Sequence, residues 1–243
     1  MVSAATVLFA ALAAVVSAAP GCPPMKYTLP TIGGGQELAP PAPNLVLKKI
    51  AIGHGIQNYS CETAAGDGNA TGALAVLYDV TSLYPGTKQS GIKQNVWDSM
   101  PANLLWKTPF PLNKLAGSEY GADPNTPFPA AADLNLQGVP AAKFLGHHFF
   151  DIESVPVFDL AAAGLKATVK KVDGKTAPAS ADKGLIGTGA VAWLLLNDNG
   201  KGQSQGVTSV FRVITAGGNP RPCSVAGVGV QSVPYATYYW FFG

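Results

Sequence analysis

The side chains that could do chemistry in this sequence are three histidines, one arginine set in an apolar strand, a few carboxylates and three cysteines. His147 and His148 are adjacent, so on a strand they point to opposite faces and cannot share an ion as a His-x-His pair would. Each is expected to be a structural histidine. An ion held by His54, His148 and a carboxylate such as Asp151 is the alternative, and no bound metal is predicted. Arg212 shares a strand face with Val210 and Ile214. A guanidinium there needs a partner, because an unpaired buried charge costs several kcal/mol. Asp79, Asp151, Glu153 and Asp159 are the candidate acceptors, and a structural ion pair is expected ahead of a ligand-binding arginine. His148, Arg212 and Asp151 are the residues on which a hydrolase or lyase would be built. No Gly-x-Ser-x-Gly elbow is present, and paired carboxylates for glycoside hydrolysis leave no spacing signature. Among the tryptophans, Trp193 and Trp240 sit at strand spacing and are expected in the core. Trp97 and Trp106 fall in a long insertion, where an exposed ring could stack on a sugar.

The elements that must position these residues read as short strands. Leu45–Cys61 is apolar and β-branched, with Gly53 and Gly55 suggesting a bulge or kink. A Gly-rich turn at 66–69 leads to a strand at Ala73–Asp79. Further strand-like runs are Ala142–Asp151, Val155–Leu160, Lys166–Val172, Ala190–Leu196, Val207–Thr215 and Tyr235–Phe242. Residues 80–140 between them are rich in turn signals, with one or two helical turns expected around Asn95–Leu105. Residues 20–44 are a Pro/Gly-rich arm. Eight or nine strands with Gly/Pro punctuation predict a single all-β domain over 45–243: an antiparallel sandwich or barrel with a long loop and short-helix insertion.

Composition agrees with this reading. Gly and Pro number 28 and 20, charged residues are only 12%, and the formal net charge is +2, which excludes a nucleic-acid-binding field. Residues 1–19 form an uncharged apolar stretch ending in Ser17-Ala18-Ala19, the pattern of a cleaved signal peptide, with an anchor or a buried helix as the alternative. No later run is long enough to span a bilayer, so the mature chain is expected outside the cell without a membrane segment. In that oxidising setting Cys61 and Cys223, each at the end of a strand-like segment, are the expected bridge, and a pairing of Cys22 with either is the alternative. Asn58-Tyr59-Ser60 and Asn69-Ala70-Thr71 are glycosylation sequons, with Asn69, in a Gly-rich turn, the more accessible.

Six motifs in order carry a resemblance. They are Gly53-x-Gly55-x-Gln57-x-Tyr59-x-Cys61, Gly146-His147-His148, Ala192-Trp193-Leu194-Leu195-Leu196, Arg212-x-x-Thr215-x-Gly217-Gly218, Cys223 close behind, and Tyr235-Ala236-x-Tyr238-Tyr239-Trp240-Phe241. The chain resembles a family of small secreted fungal and bacterial proteins classed as a domain of unknown function, whose fungal members are often labelled malate dehydrogenase. The resemblance implies a β-rich secreted module and no established activity. Gln57 and Tyr59 fall on its recurrent positions and join Trp97 and Trp106 as binding candidates, whereas His54 sits where arginine is more usual. The dehydrogenase label is rejected and no cofactor is predicted, because a dinucleotide site needs strand, Gly-x-Gly-x-x-Gly and helix in succession. Gly55 is instead followed by strand formers, with no third glycine. The function expected is a secreted binding or surface-interaction module directed at wall polysaccharide or a host surface. The competing class is an enzyme around His148 and Arg212.

Overall fold

The computed structural model describes residues 25–34, 37–88 and 90–243. The expected signal peptide at 1–19 and Cys22 lie outside the described residues. Eight strands, each antiparallel to its neighbours, close into a barrel in sequence order. They are β1 (Leu47–Cys61), β2 (Asn69–Asp79), β3 (Lys143–Phe150), β4 (Pro156–Leu160), β5 (Leu165–Lys175), β6 (Trp193–Asp198), β7 (Ser209–Gly217) and β8 (Gly229–Phe242), with β1 pairing β8 to complete the circle. Of the two expected architectures the barrel is the one formed. Closure leaves no edge strand with unpaired backbone groups.

Alternation sorts the side chains into two cores. Ala51, Ala75, Leu77, Phe158, Val169, Val210, Tyr239 and Phe241 pack together inside the barrel. Ile50, Ile52, Val76, Trp97, Phe211, Tyr238 and Trp240 form a second layer outside it. That layer is covered by the insertion and by the arm, whose Tyr27, Leu29, Ile32 and Leu38 pack against it. The insertion carries α1 (Gln94–Lys107), and Trp97, Met100, Leu104 and Leu105 are its buried face at i, i+3, i+7 and i+8. The short helix is thus found where the sequence places it, about one residue longer at its start and two at its end.

Trp97, a candidate for sugar stacking, lies instead in the buried face of α1. It is 2% exposed, stacks on Tyr238 with ring centres 4.3 Å apart, and its carbonyl accepts the Tyr238 hydroxyl at 2.9 Å. An apolar helix face must bury its largest ring, and the outer surface of β8 offers one to stack on. Trp97→Ala is expected to cost about 3–4 kcal/mol, read as a lower urea midpoint.

Gly53 and Gly55 also depart from expectation, since pairing of β1 runs through both without a bulge, the register slipping at Asn58/Tyr59 against β2 and at Leu47/Lys49 against β8. Both serve close approach instead. A Cβ at Gly55 would lie 1.9 Å from the Leu74 carbonyl oxygen, and one at Gly53 would lie 2.8 Å from the Tyr239 ring. Small residues on β1 and β2 thereby make room for the tyrosines that β8 sends inward. Gly55→Ala is expected to cost about 3 kcal/mol by forcing β2 away, measured by the same denaturation.

Cys61 and Cys223 are bonded across 162 residues of sequence, tying the end of β1 to the short helix α2 (Cys223–Ala226). Among the described residues no helix is long and apolar enough to cross a membrane.

Candidate functional site

In an up-and-down barrel, alternate connections share an end. Residues 62–68, 151–155, 176–192 and 218–228 therefore surround one mouth. Beneath it the interior holds a cavity of about 380 Å³. Its walls include Phe150, Pro156, Phe158, Leu194 and Leu196, and its polar lining is Gln57, Tyr59, His148, Arg212, Asn219 and Tyr239, with Lys171 also present. Cavities of similar volume, about 370, 360 and 320 Å³, lie on the outer side of the barrel. The interior one is set apart by a buried guanidinium.

Strand register brings these groups together. Arg212 is paired with Leu194 on one side and Tyr239 on the other, and His148 is paired with Ala75 and Phe158. Partners across a ladder share a face, so Arg212, Tyr239 and His148 all point inward. His147 consequently points outward, stacked on Phe128. His54 also lies on the outer side, its Nδ1 3.3 Å from Thr108 Oγ1. The barrel wall separates His54 from His148, so the three-residue ion site weighed above cannot assemble. Among the described residues no group of three or more His, Cys, Asp or Glu is placed to hold a metal.

Arg212 is 9% exposed. Its Nε and Nη2 donate to the Ala192 carbonyl at 3.1 and 2.8 Å, and Nη1 makes a long contact of 3.5 Å to Gln57 Oε1. None of the four expected carboxylates reaches it. Asp79 is bonded to Lys49 at 2.6 Å and Glu153 to Lys201 at 2.7 Å. Asp159 faces His147 on the outside, where its charge opposes the lowering of that imidazole's pKa by burial. Asp151 turns back on its own loop and accepts the backbone N–H groups of Glu153 and Val155, both at 2.9 Å. The expected ion pair is therefore absent among the described residues, and Asp151 does not join His148 and Arg212. Capping a tight hairpin holds the carboxylate on its own loop.

The histidine and the tyrosines of the cavity are uncharged near pH 7. Burial, with the nearby Arg212 charge adding to it, lowers the His148 pKa to about 4 against a smaller opposing effect of its bond to Val157. Its Nδ1 meets the Val157 carbonyl at 2.8 Å, and a carbonyl only accepts, so Nδ1 carries the proton and Nε2 keeps its lone pair. The ring stacks on Phe158 at 4.1 Å. Tyr59 donates to the Gly218 carbonyl at 2.7 Å, and burial pushes its pKa up to about 12. The Tyr235 and Tyr239 hydroxyls meet at 2.9 Å, and burial raises both phenols. Gln57 Nε2 lies near Tyr235 but makes no well-formed hydrogen bond.

Of the sequence-derived candidates, the barrel assembles Gln57, Tyr59, His148 and Arg212 in one cavity. It leaves Asp151 on a hairpin, Trp97 in the outer core, and Trp106 outside at 55% exposure with its Nε1 donating to Asp182. Of the sequons, Asn69 is exposed, and Asn58 is half-buried and accepts from Ser232 Oγ at 2.8 Å. Sequence reasoning missed Tyr235, Tyr239 and the Ala192 carbonyl. The two tyrosines could have been found from parity, since residues four apart on a strand share a face.

A closed antiparallel barrel with an internal cavity opening at one end defines the architectural class. Over residues 41–243 the chain matches the family described as Protein of unknown function (DUF3455), and it belongs to that family. No curated protein and no solved structure matched the chain.

Proposed function

We propose that this chain is a binding module of the cell exterior whose ligand occupies the barrel cavity. The observation that supports this most is Arg212, a buried cation in an open cavity with no carboxylate beside it. A purely structural arginine would be paired, since leaving it unpaired costs several kcal/mol. An eight-stranded barrel is wide enough either to be filled by side chains or to hold one small ligand, and here the interior is only partly filled. The exterior location rests on the apolar leader and on the long-range disulfide, a bond that persists in oxidising compartments. Catalysis is the weaker reading because, among the described residues, no carboxylate lines the cavity to partner His148 and Arg212.

Binding of anilinonaphthalene sulfonate, followed by its fluorescence, tests the reading. Ala70→Trp at the exposed rim and Ala73→Phe deeper in are both expected to remove the signal while the fold is retained by circular dichroism. Dye binding unchanged in both variants would place the ligand elsewhere.

A surface-interaction reading keeps one observation in its favour, the half-exposed ring of Trp106 at the end of α1. If a wall glycan stacks there, Trp106→Ala is expected to weaken retention on insoluble wall polysaccharide roughly fivefold or more. Equal retention of variant and parent, or none by either, removes that reading.

A further inference from the structure

We infer that the cavity takes a small organic acid, with a carboxylate seated at Arg212 and an apolar body lying against Phe150, Pro156, Phe158, Leu194 and Leu196. This rests on the cavity being the binding site, and it adds the chemistry of the ligand. The charge balance of the enclosure carries it. Arg212 is a fixed positive charge, whereas Lys171, also among the lining residues, is exposed at the rim and its charge acts on Asp173. Among the described residues no acidic side chain lines the cavity. The titratable groups nearest Arg212 are Tyr59, His148, Tyr235 and Tyr239, all held uncharged near pH 7 by burial. The enclosure is therefore net positive, and only dipoles answer the guanidinium.

The partners of Arg212, the Ala192 carbonyl, Gln57 and the Tyr239 hydroxyl, are all neutral and leave the charge itself unmatched. The Nε/Nη2 edge of Arg212 is spent on the Ala192 carbonyl. Nη1 points toward Gln57, a lining residue, across a contact of 3.5 Å that is long for a hydrogen bond. A carboxylate there would gain charge-assisted bonds that a neutral group cannot match. The rest of the enclosure is mainly apolar, which suits a hydrocarbon or aromatic body better than a polyhydroxylated sugar. Its volume of about 380 Å³ lies near the lower end of the roughly 300–1,000 Å³ of small-molecule sites, so the ligand is compact.

The test is calorimetric titration of the full secreted chain, disulfide intact, with decanoate, decanol and decylamine. Decanoate is expected to bind, with decanol roughly tenfold to a hundredfold weaker and decylamine weaker still. Arg212→Met is expected to abolish the preference for decanoate over decanol, while Arg212→Lys keeps part of it. Should Arg212→Met fail to fold, the wild-type comparison of acid with alcohol decides alone. Equal affinity for acid and alcohol, with both weakened by Ala70→Trp, overturns the acid and leaves the cavity reading standing. Decanoate binding untouched by Ala70→Trp and Ala73→Phe overturns both. Failure of all three probes to bind at millimolar concentration overturns the acid assignment.

Discussion

Lowering the pH from 7.5 to 4 is expected to remove about 6 kcal/mol of folding stability through His54 and His148 alone. Both imidazoles are buried, at 3% and 4% exposure, and desolvation lowers each pKa from 6.5 to about 4. In the unfolded chain both titrate near 6.5. Between the two values the unfolded state therefore binds more protons than the folded one, and stability falls as pH falls. Each histidine contributes a slope of about 1.4 kcal/mol per pH unit in that window, hence about 3 kcal/mol by pH 4. The stability is fully present above pH 6.5. Denaturation midpoints at half-unit steps from pH 7 to 4.5 check this, with His54→Asn/His148→Gln as the control. A parent slope no steeper than that of the double variant would show that the imidazoles are not held neutral as their burial requires.

Removing the Cys61–Cys223 bridge is expected to cost about 4–5 kcal/mol, because cutting so long a loop returns the most entropy to the unfolded chain. The bond spans 162 residues and joins the end of β1 to the segment leading into β8, the pair that closes the barrel. Without it, the β1–β8 seam must form between strands separated by nearly the whole domain. The Cys61→Ala/Cys223→Ala variant should unfold at a much lower urea concentration and, at a given denaturant, mainly refold more slowly. A shift below about 1 kcal/mol would mean that the unfolded chain already holds these ends together.

Much of this was written in the linear sequence. Alternating apolar residues broken by Gly and Pro specify strands, too many and too short for anything but a sandwich or barrel, because a pleated ribbon repeats every two residues. The same parity separates His147 from His148 before any fold is known. The amphipathic stretch at α1 and the bridge between strand ends were readable for similarly local reasons. What parity cannot give is which face is inside once a sheet closes and has a second core outside it. Both faces of β1, β7 and β8 are buried. Hydrophobicity therefore does not distinguish Trp97, under the outer layer, from a ring in the lumen, nor a glycine required for close approach from one at a bulge.

Local chemistry decided that Arg212 would be half-buried and would need an answer to its charge. Only the tertiary structure decided that the answer would not be Asp79, Asp151, Glu153 or Asp159: Asp79 and Glu153 are held by Lys49 and Lys201, Asp151 caps its own hairpin, and ladder register turns Asp159 outward beside His147. The strands themselves followed from short-range rules of spacing. The cavity, its unmatched positive charge and the company of Tyr235 and Tyr239 arose from contacts between residues far apart in the chain, which no window along the sequence contains.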